Sequence, residues 1–259
     1  MTSWLHCLTI TLMFFLMSCA SQKKIASSDD NSEGIRTHAF PYAEDTAPIL
    51  TSDELQAQVL KANQANYKYF LKIALGSEYG LGDFTVKKWA SDVRIEVVGQ
   101  PTAGDFASLR RVIEELNALL APRINLEVVS GDGNLHMYFV PHDEFHQYEP
   151  PGIVFYGGFF WNWWNYSGEI YKSRIVIASD RITQNHRSHL IREELTQALG
   201  LMNDAMDYED SIFYQGYSET TAFSSLDRAV IKMLYNEHII AGMSNFQIEE
   251  VLSEAATSY

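Results

Sequence analysis

The stretch that most restricts this chain is Glu193-Glu194-Leu195-Thr196-Gln197-Ala198-Leu199-Gly200-Leu201. Positions 193 and 197 are four apart, a spacing that shares one face of a helix. Leu190, Leu195, Ala198 and Leu199 can pack inward. Gly200 permits a left-handed backbone, which ends the helix and turns the chain sharply. Such a turn can return the residues after it toward the polar face.

The surrounding periodicity gives the frame. Residues 92–98 alternate like a strand. Residues 103–121 predict a helix, with Phe106, Leu109, Val112, Ile113, Leu116, Leu119 and Leu120 on one broad face and Pro122 as its stop. Residues 124–129 and 135–140 predict strands, joined by a turn-rich link over 130–134. Residues 141–168 read as irregular, with Pro150-Pro151, Gly157-Gly158 and a dense aromatic run. A strand over 174–178 precedes the Glu193 helix, expected from about His186 to Leu199. A last helix is expected from about Ser225 to Tyr235. Ahead of all this, Thr51 to Leu75 reads as an accessory helix. Thr51 and Glu54 fit a capping box, Gly76 fits the stop, and Tyr67, Tyr69 and Phe70 are expected to dock it.

The Glu193 segment resembles the active-site helix of the metzincin zinc peptidases, whose pattern is H-E-x-x-H-x-x-G-x-x-H. Glu193, Gln197 and Asn203 stand at the three histidine positions, Glu194 at the general base and Gly200 at the glycine. The likeness continues downstream. Ser211-Ile212-Phe213-Tyr214 matches the turn below the metal, with Phe213 in the methionine place and Tyr214 after it. Residues 223–235 match the helix that follows. The resemblance covers roughly residues 90–240 and implies an α+β, metzincin-like (zincin) domain: a mixed, mostly parallel sheet packed with an active-site-type helix and a C-terminal helix. More closely, Ile191–Leu201, Asn203-Asp204, Asp210–Tyr214, Leu226-Asp227 and Gly242-Met243 resemble a proteobacterial lipoprotein family known as domain of unknown function 2927. That family implies an envelope protein and no particular activity.

The departures from the peptidase pattern bear on chemistry. Two imidazoles at i and i+4 hold zinc, and the adjacent carboxylate activates its water. Amide oxygens are poor zinc ligands beside imidazole. The oxygen donors of Glu193, Gln197 and Asn203 suit calcium or magnesium better. Without a metal to acidify water, Glu194 has no activated nucleophile. Adjacent helical residues point about 100° apart, so Glu193 and Glu194 make a poor acid–base pair for one bond.

The expected divisions are a lipoprotein signal over 1–18, a flexible tether over 19–50, the accessory helix over 51–76 and the metzincin-like domain over 77–259. Residues 4–18 are apolar but shorter than the roughly 20 residues a spanning helix needs. Leu16-Met17-Ser18-Cys19 resembles a lipobox, although the segment before it carries only His6 as a basic group. The resemblance implies cleavage before Cys19 and lipidation of its sulfur. Ala20 after it implies the outer membrane, facing the periplasm. Cys7 would leave with the signal, so the mature chain would hold no disulfide and no thiolate metal site. The tether is rich in Ser, Asp, Asn and Thr and has few large apolar groups. A net charge of −14 argues against nucleic acid as a partner.

Other residues offer further sites. His142 and His146 are at i and i+4, but prolines at 141, 150 and 151 leave little room for a helix. His186, His189, Glu193 and Gln197 form one stripe, so His189 and Glu193 are a candidate relocated metal site. The alternative places both histidines near the surface at a helix start. Trp161, Trp163 and Trp164 either form a ligand platform or cover the core. Arg181, Arg187 and Arg192 flank the carboxylates, so Glu193 or Glu194 can also be read as an ion-pair anchor.

One class of function leads, and a second competes with it. The first is a non-catalytic module that binds an envelope peptide, glycan or protein in the old cleft, with no cofactor. The second is a peptidase-like hydrolase with a non-standard divalent metal or metal-free Glu194 chemistry. A purely structural lipoprotein subunit is the third.

Overall fold

Strand β4 (Leu135–Val140) shows how the fold is written. Its alternate residues Leu135, Met137 and Phe139 are buried on one face, as a half-covered strand requires. The computed structural model describes residues 52–75, 84–148 and 157–257, with side chains over 63–75, 84–148 and 157–251. The signal, Cys19 and the tether lie outside these residues, as do Thr51 and Gly76 at the expected ends of the first helix.

Helix α1 (Ser52–Ala74) comes first. Then follow β1 (Lys88–Trp89), β2 (Val93–Gly99), α2 (Ala103–Leu120), β3 (Leu126–Val129) and β4. A 3-10 segment (His142–Gln147), β5 (Gly158–Trp164), β6 (Glu169–Ala178) and α3 (Gln184–Gln197) come next. Helices α4 (Ser225–Leu234) and α5 (Asn245–Thr257) complete the order.

The sheet runs β1-β6-β4-β2-β3, with β5 added to β6. Every pairing is parallel except β5 with β6. The architecture is therefore a mixed, mostly parallel sheet with helices. Strand β6 shows its two faces. Ile175 and Ile177 join the large core with Ile191 and Leu195 of α3, while Val176 and Ala178 join a smaller cluster with Phe145 and Phe159.

Two joints fix α3. At its start, the buried Asp105 carboxylate accepts from Arg187 Nε at 3.0 Å and Gln184 Nε2 at 2.7 Å. Asp105 also closes the capping box of α2 with Thr102, so one carboxylate ties two helix starts together. At its end, Trp89 Nε1 donates to the Ala198 carbonyl and the Tyr235 hydroxyl to the Leu199 carbonyl, each at 2.9 Å. Gly200 follows with φ +119, and a Cβ there would lie 1.9 Å from the Lys87 carbonyl oxygen. Only glycine fits that crossing.

Helix α1 docks through Tyr69 and Phe70, which are buried, as the aromatic pattern predicts. The Tyr69 hydroxyl is 2.9 Å from Ser211 Oγ, which donates to Asp227 of α4 at 2.6 Å.

The segment expected to be irregular, 141–168, differs. It holds the 3-10 turn and β5, and β6 starts at Glu169 rather than 174. Strand β5 escapes an alternation pattern because it is an edge strand with aromatic residues on both faces. Phe159 serves the small cluster, and Phe160 packs on the large core. Helix α5, beyond the expected last helix, is a further addition.

Candidate functional site

A cleft of about 500 Å³ opens between α3, β5 and the segment around Tyr214–Ser218. Its floor is the polar face of α3. Glu193, Glu194 and Gln197 all line it, so the i, i+4 spacing does place Glu193 and Gln197 on one wall.

The two ligand positions on α3 are already engaged. His189 Nδ1 lies 2.7 Å from the Thr220 carbonyl oxygen, which can only accept, so Nδ1 carries a hydrogen. Its Nε2 stands 3.1 Å from Glu193 Oε2. Burial opposes a charge on this ring, yet the Glu193 carboxylate and the Thr220 carbonyl outweigh it and raise the His189 pKa. The outcome is a buried imidazole–carboxylate contact that favours the protonated ring. His189 is only 3% exposed, which corrects its expected place near the surface. His186 stacks between Tyr217 and His189, with centroids 5.1 and 6.0 Å away. Burial and then the neighbouring His189 hold its pKa below the ordinary value, so the two rings shift in opposite directions.

Gln197 Nε2 donates to Asp204 Oδ1 at 2.6 Å. Asp204, not Asn203, is the residue that the turn delivers to the cleft. The Asn203 amide instead donates to the Lys72 and Leu75 carbonyls, each at 3.1 Å, and so caps the end of α1. Register along the sequence points one residue short, because the path after Gly200 is set by docking on α1. The carboxylate at 204, next to the expected position, is the available signal.

Glu194 is 6% exposed and lies below the start of β5. A Cβ on Gly158 would come 3.0 Å from Glu194 Oε1, so the glycine gives the carboxylate room. Phe213 is fully buried beneath the site, and Tyr214 lines it. The Ala205 amide donates to the Phe213 carbonyl at 2.9 Å, which pairs the turn after α3 with the turn below it.

The aromatic run divides. Trp161 and Trp164 line the cleft and stay 39% and 38% exposed. Trp163 is absent from that lining and packs against Lys172 and Arg174. Between them is Asn162, which also lines the cleft and is not among the residues expected there from sequence. It is the lone polar residue in Phe159–Trp164, and that is its signal.

Zinc fits this donor set poorly. Its three expected positions do not converge, since Asn203 serves α1 while Glu193 and Gln197 hold protein partners. The relocated alternative is an ion pair in which both nitrogens of His189 face acceptors. No group of three or more His, Cys, Asp or Glu among the described residues is arranged to hold a metal. His142 and His146 form no pair either: His142 stacks on Phe145, and His146 Nδ1 contacts the Asp143 carbonyl. Arg192 is buried against Glu115 rather than the cleft carboxylates, and Arg181 pairs with Asp143.

A family model described as "Protein of unknown function (DUF2927)" matches residues 63–254. The chain belongs to the DUF2927 family. The match takes in the second half of α1, the sheet, the cleft and most of α5. No curated protein matches this DUF2927 chain. Among solved structures it is similar to myroilysin, at 13% identity and a TM-score of 0.40, over 65% of this chain and 93% of that one. It is also similar to archaemetzincin (amzA) from Methanopyrus kandleri, at 10% identity and a TM-score of 0.29, over 65% of this chain and 96% of that one.

Proposed function

We propose that this DUF2927 protein is a lipid-anchored envelope protein whose zincin-like cleft binds a segment of an envelope peptide or protein without cleaving it. The observation that carries this reading is the internal pairing of the cleft floor. Glu193 is held by His189 and Gln197 by Asp204, in places where a peptidase would aim ligands at a metal.

The walls support binding. Strand β5 pairs only with β6 among the described strands, so its other edge offers main-chain groups to an extended partner. Trp161 and Trp164 add exposed aromatic faces, which suit peptide side chains and sugar rings alike. The anchor is the lipid expected on Cys19, with the outer membrane facing the periplasm as its place. No helix among the described residues is long and apolar enough to cross a membrane.

The hydrolase reading keeps one supporting observation, the Glu194 carboxylate enclosed in the cleft. The test is a titration of the full-length lipidated protein in detergent, followed by tryptophan fluorescence. Envelope peptides and glycan fragments are the ligands, and product formation is followed in the same samples. Saturable quenching without product is expected. Turnover that Glu194→Gln abolishes would replace the binding reading with the hydrolase. Radiolabelled palmitate should be incorporated by the cells' own chain and lost in Cys19→Ala.

A further inference from the structure

Three connecting segments meet at one end of the sheet, and each carries large apolar side chains into solvent. The approach to β1 holds Phe84, the turn of the β5–β6 hairpin holds Tyr166, and the link from α4 into α5 holds Ile240 and Phe246. All four are exposed, Tyr166 fully so.

Backbone contacts bring the segments together. The Gly242 amide donates to the Val86 carbonyl and the Val86 amide to the Met243 carbonyl, each at 2.8 Å. Thr85, next to Phe84, bridges to Ser244, two residues before Phe246. The hairpin crosses the same point, where a Cβ on Gly168 would lie 2.7 Å from both the Gly242 nitrogen and the Val86 oxygen. Trp164, Tyr166 and Tyr171 line a shallow depression on the hairpin. Lys87 Nζ lies 5.5 Å from the Trp164 ring and ties that side of the hairpin to the chain entering β1.

Soluble surfaces rarely group large apolar side chains, and such a patch marks a protein partner or a membrane. Two features favour the membrane. The Tyr and Trp rings carry a polar tip on an apolar body, the chemistry of the bilayer interface. The chain also supplies the bilayer. Residues 20–51 separate α1 from the lipid expected on Cys19, and even fully extended they reach at most about 110 Å.

We propose that this edge docks on a bilayer of zwitterionic head groups, with Phe84, Tyr166 and Phe246 entering the boundary with the acyl chains. A net charge of −14 disfavours anionic head groups. This rests on the lipid-anchored reading above and deepens it. The lipid keeps the protein at the bilayer, and the edge decides which way the domain faces. Trp164 also lines the cleft, so docking sets one wall of the cleft beside the head groups.

The test uses the full-length lipidated protein added to preformed phosphatidylcholine vesicles. Cys7 leaves with the expected signal and a lipidated Cys19 has no free thiol, so an introduced cysteine takes a single NBD fluorophore. Labels at Phe84→Cys, Tyr166→Cys and Phe246→Cys should be shielded from iodide in the buffer and lose most of their emission to nitroxide-bearing acyl chains. A label at Val128→Cys, exposed on β3 three strands from β6, should show the reverse. A label at Ile240→Cys should lose its quenching by lipid when Phe84→Ser, Tyr166→Ser and Phe246→Ser are combined. Phosphatidylglycerol vesicles should give weaker quenching by lipid than phosphatidylcholine.

Labels open to iodide and untouched by lipid nitroxide overturn the docking and leave the anchor standing. Shielding from iodide that grows with protein density, without quenching by lipid, assigns the edge to a second copy and overturns the bilayer. Equal quenching by lipid at position 128, or at Ile240→Cys with and without the three serines, overturns the fixed facing. Equal quenching in the two kinds of vesicle overturns the head-group assignment. Label taken up by the unaltered protein reveals a free cysteine and overturns the anchor, and the docking with it.

Discussion

His189 and Glu193 face each other one helical turn apart, with Nε2 and Oε2 separated by 3.1 Å inside the cleft. The pair predicts a titration. The folded-state pKa of His189 is raised above 6.5. Its contribution to stability is therefore fully present below that ordinary value and is lost as pH rises through the folded value. NMR titration of the His189 ring should give a midpoint above 6.5, and Glu193→Gln should lower it. A midpoint at or below the ordinary value would refute the influence of Glu193 on the ring.

The joint between Asp105 and Arg187 carries a second prediction. Asp105 is 1% exposed and its partner 8%. Burial pushes the carboxyl up in pKa, but the Thr102 N–H, Gln184 and Arg187 overcome it and leave the value lowered. Asp105→Ala strands the Arg187 charge and should cost about 3 kcal/mol in denaturant unfolding. The stabilisation is present above the unfolded carboxylate pKa and is lost as pH falls through the folded value.

Gly200→Ala should cost about 3 kcal/mol or more, since it combines a positive φ with a clash against backbone. Chemical denaturation measures it. A loss under about 1 kcal/mol would mean the Lys87 carbonyl can move away.

The delivery of residue 204 to the cleft predicts how zinc binding could be grafted. Glu193→His and Gln197→His together with Asp204→His should bind zinc tightly. The same pair with Asn203→His should bind more weakly, because residue 203 points to α1. Calorimetry with zinc alone distinguishes them, and equal affinities would refute the geometry.

The parts of the fold legible in the sequence are those with a single periodicity. Residues 135–140 alternate, and the apolar face of 103–120 is continuous, so β4 and α2 emerge directly. Strand β5 does not, because its two faces meet two separate apolar clusters and the alternation vanishes. Helix α5 follows a short connection past Gly242 and has a weak apolar stripe. In the site, spacing along α3 places Glu193, Glu194 and Gln197 correctly. It cannot place Asn203 against Asp204, because that choice depends on the carbonyl end of α1, which is distant in sequence. Burial of His189 likewise depends on the Thr220 loop folding over the start of α3.

The fastening of the last turn of α3 by Trp89 and Tyr235 has an evolutionary consequence. In a site cross-linked by a metal, a lost ligand loosens the segments it joined. Here two aromatic side chains and a glycine crossing join β1, α3 and α4 without any residue of the cleft. Scaffold and site are thus mechanically separable. The cleft side chains can be exchanged for a new ligand while the frame that presents them keeps its shape.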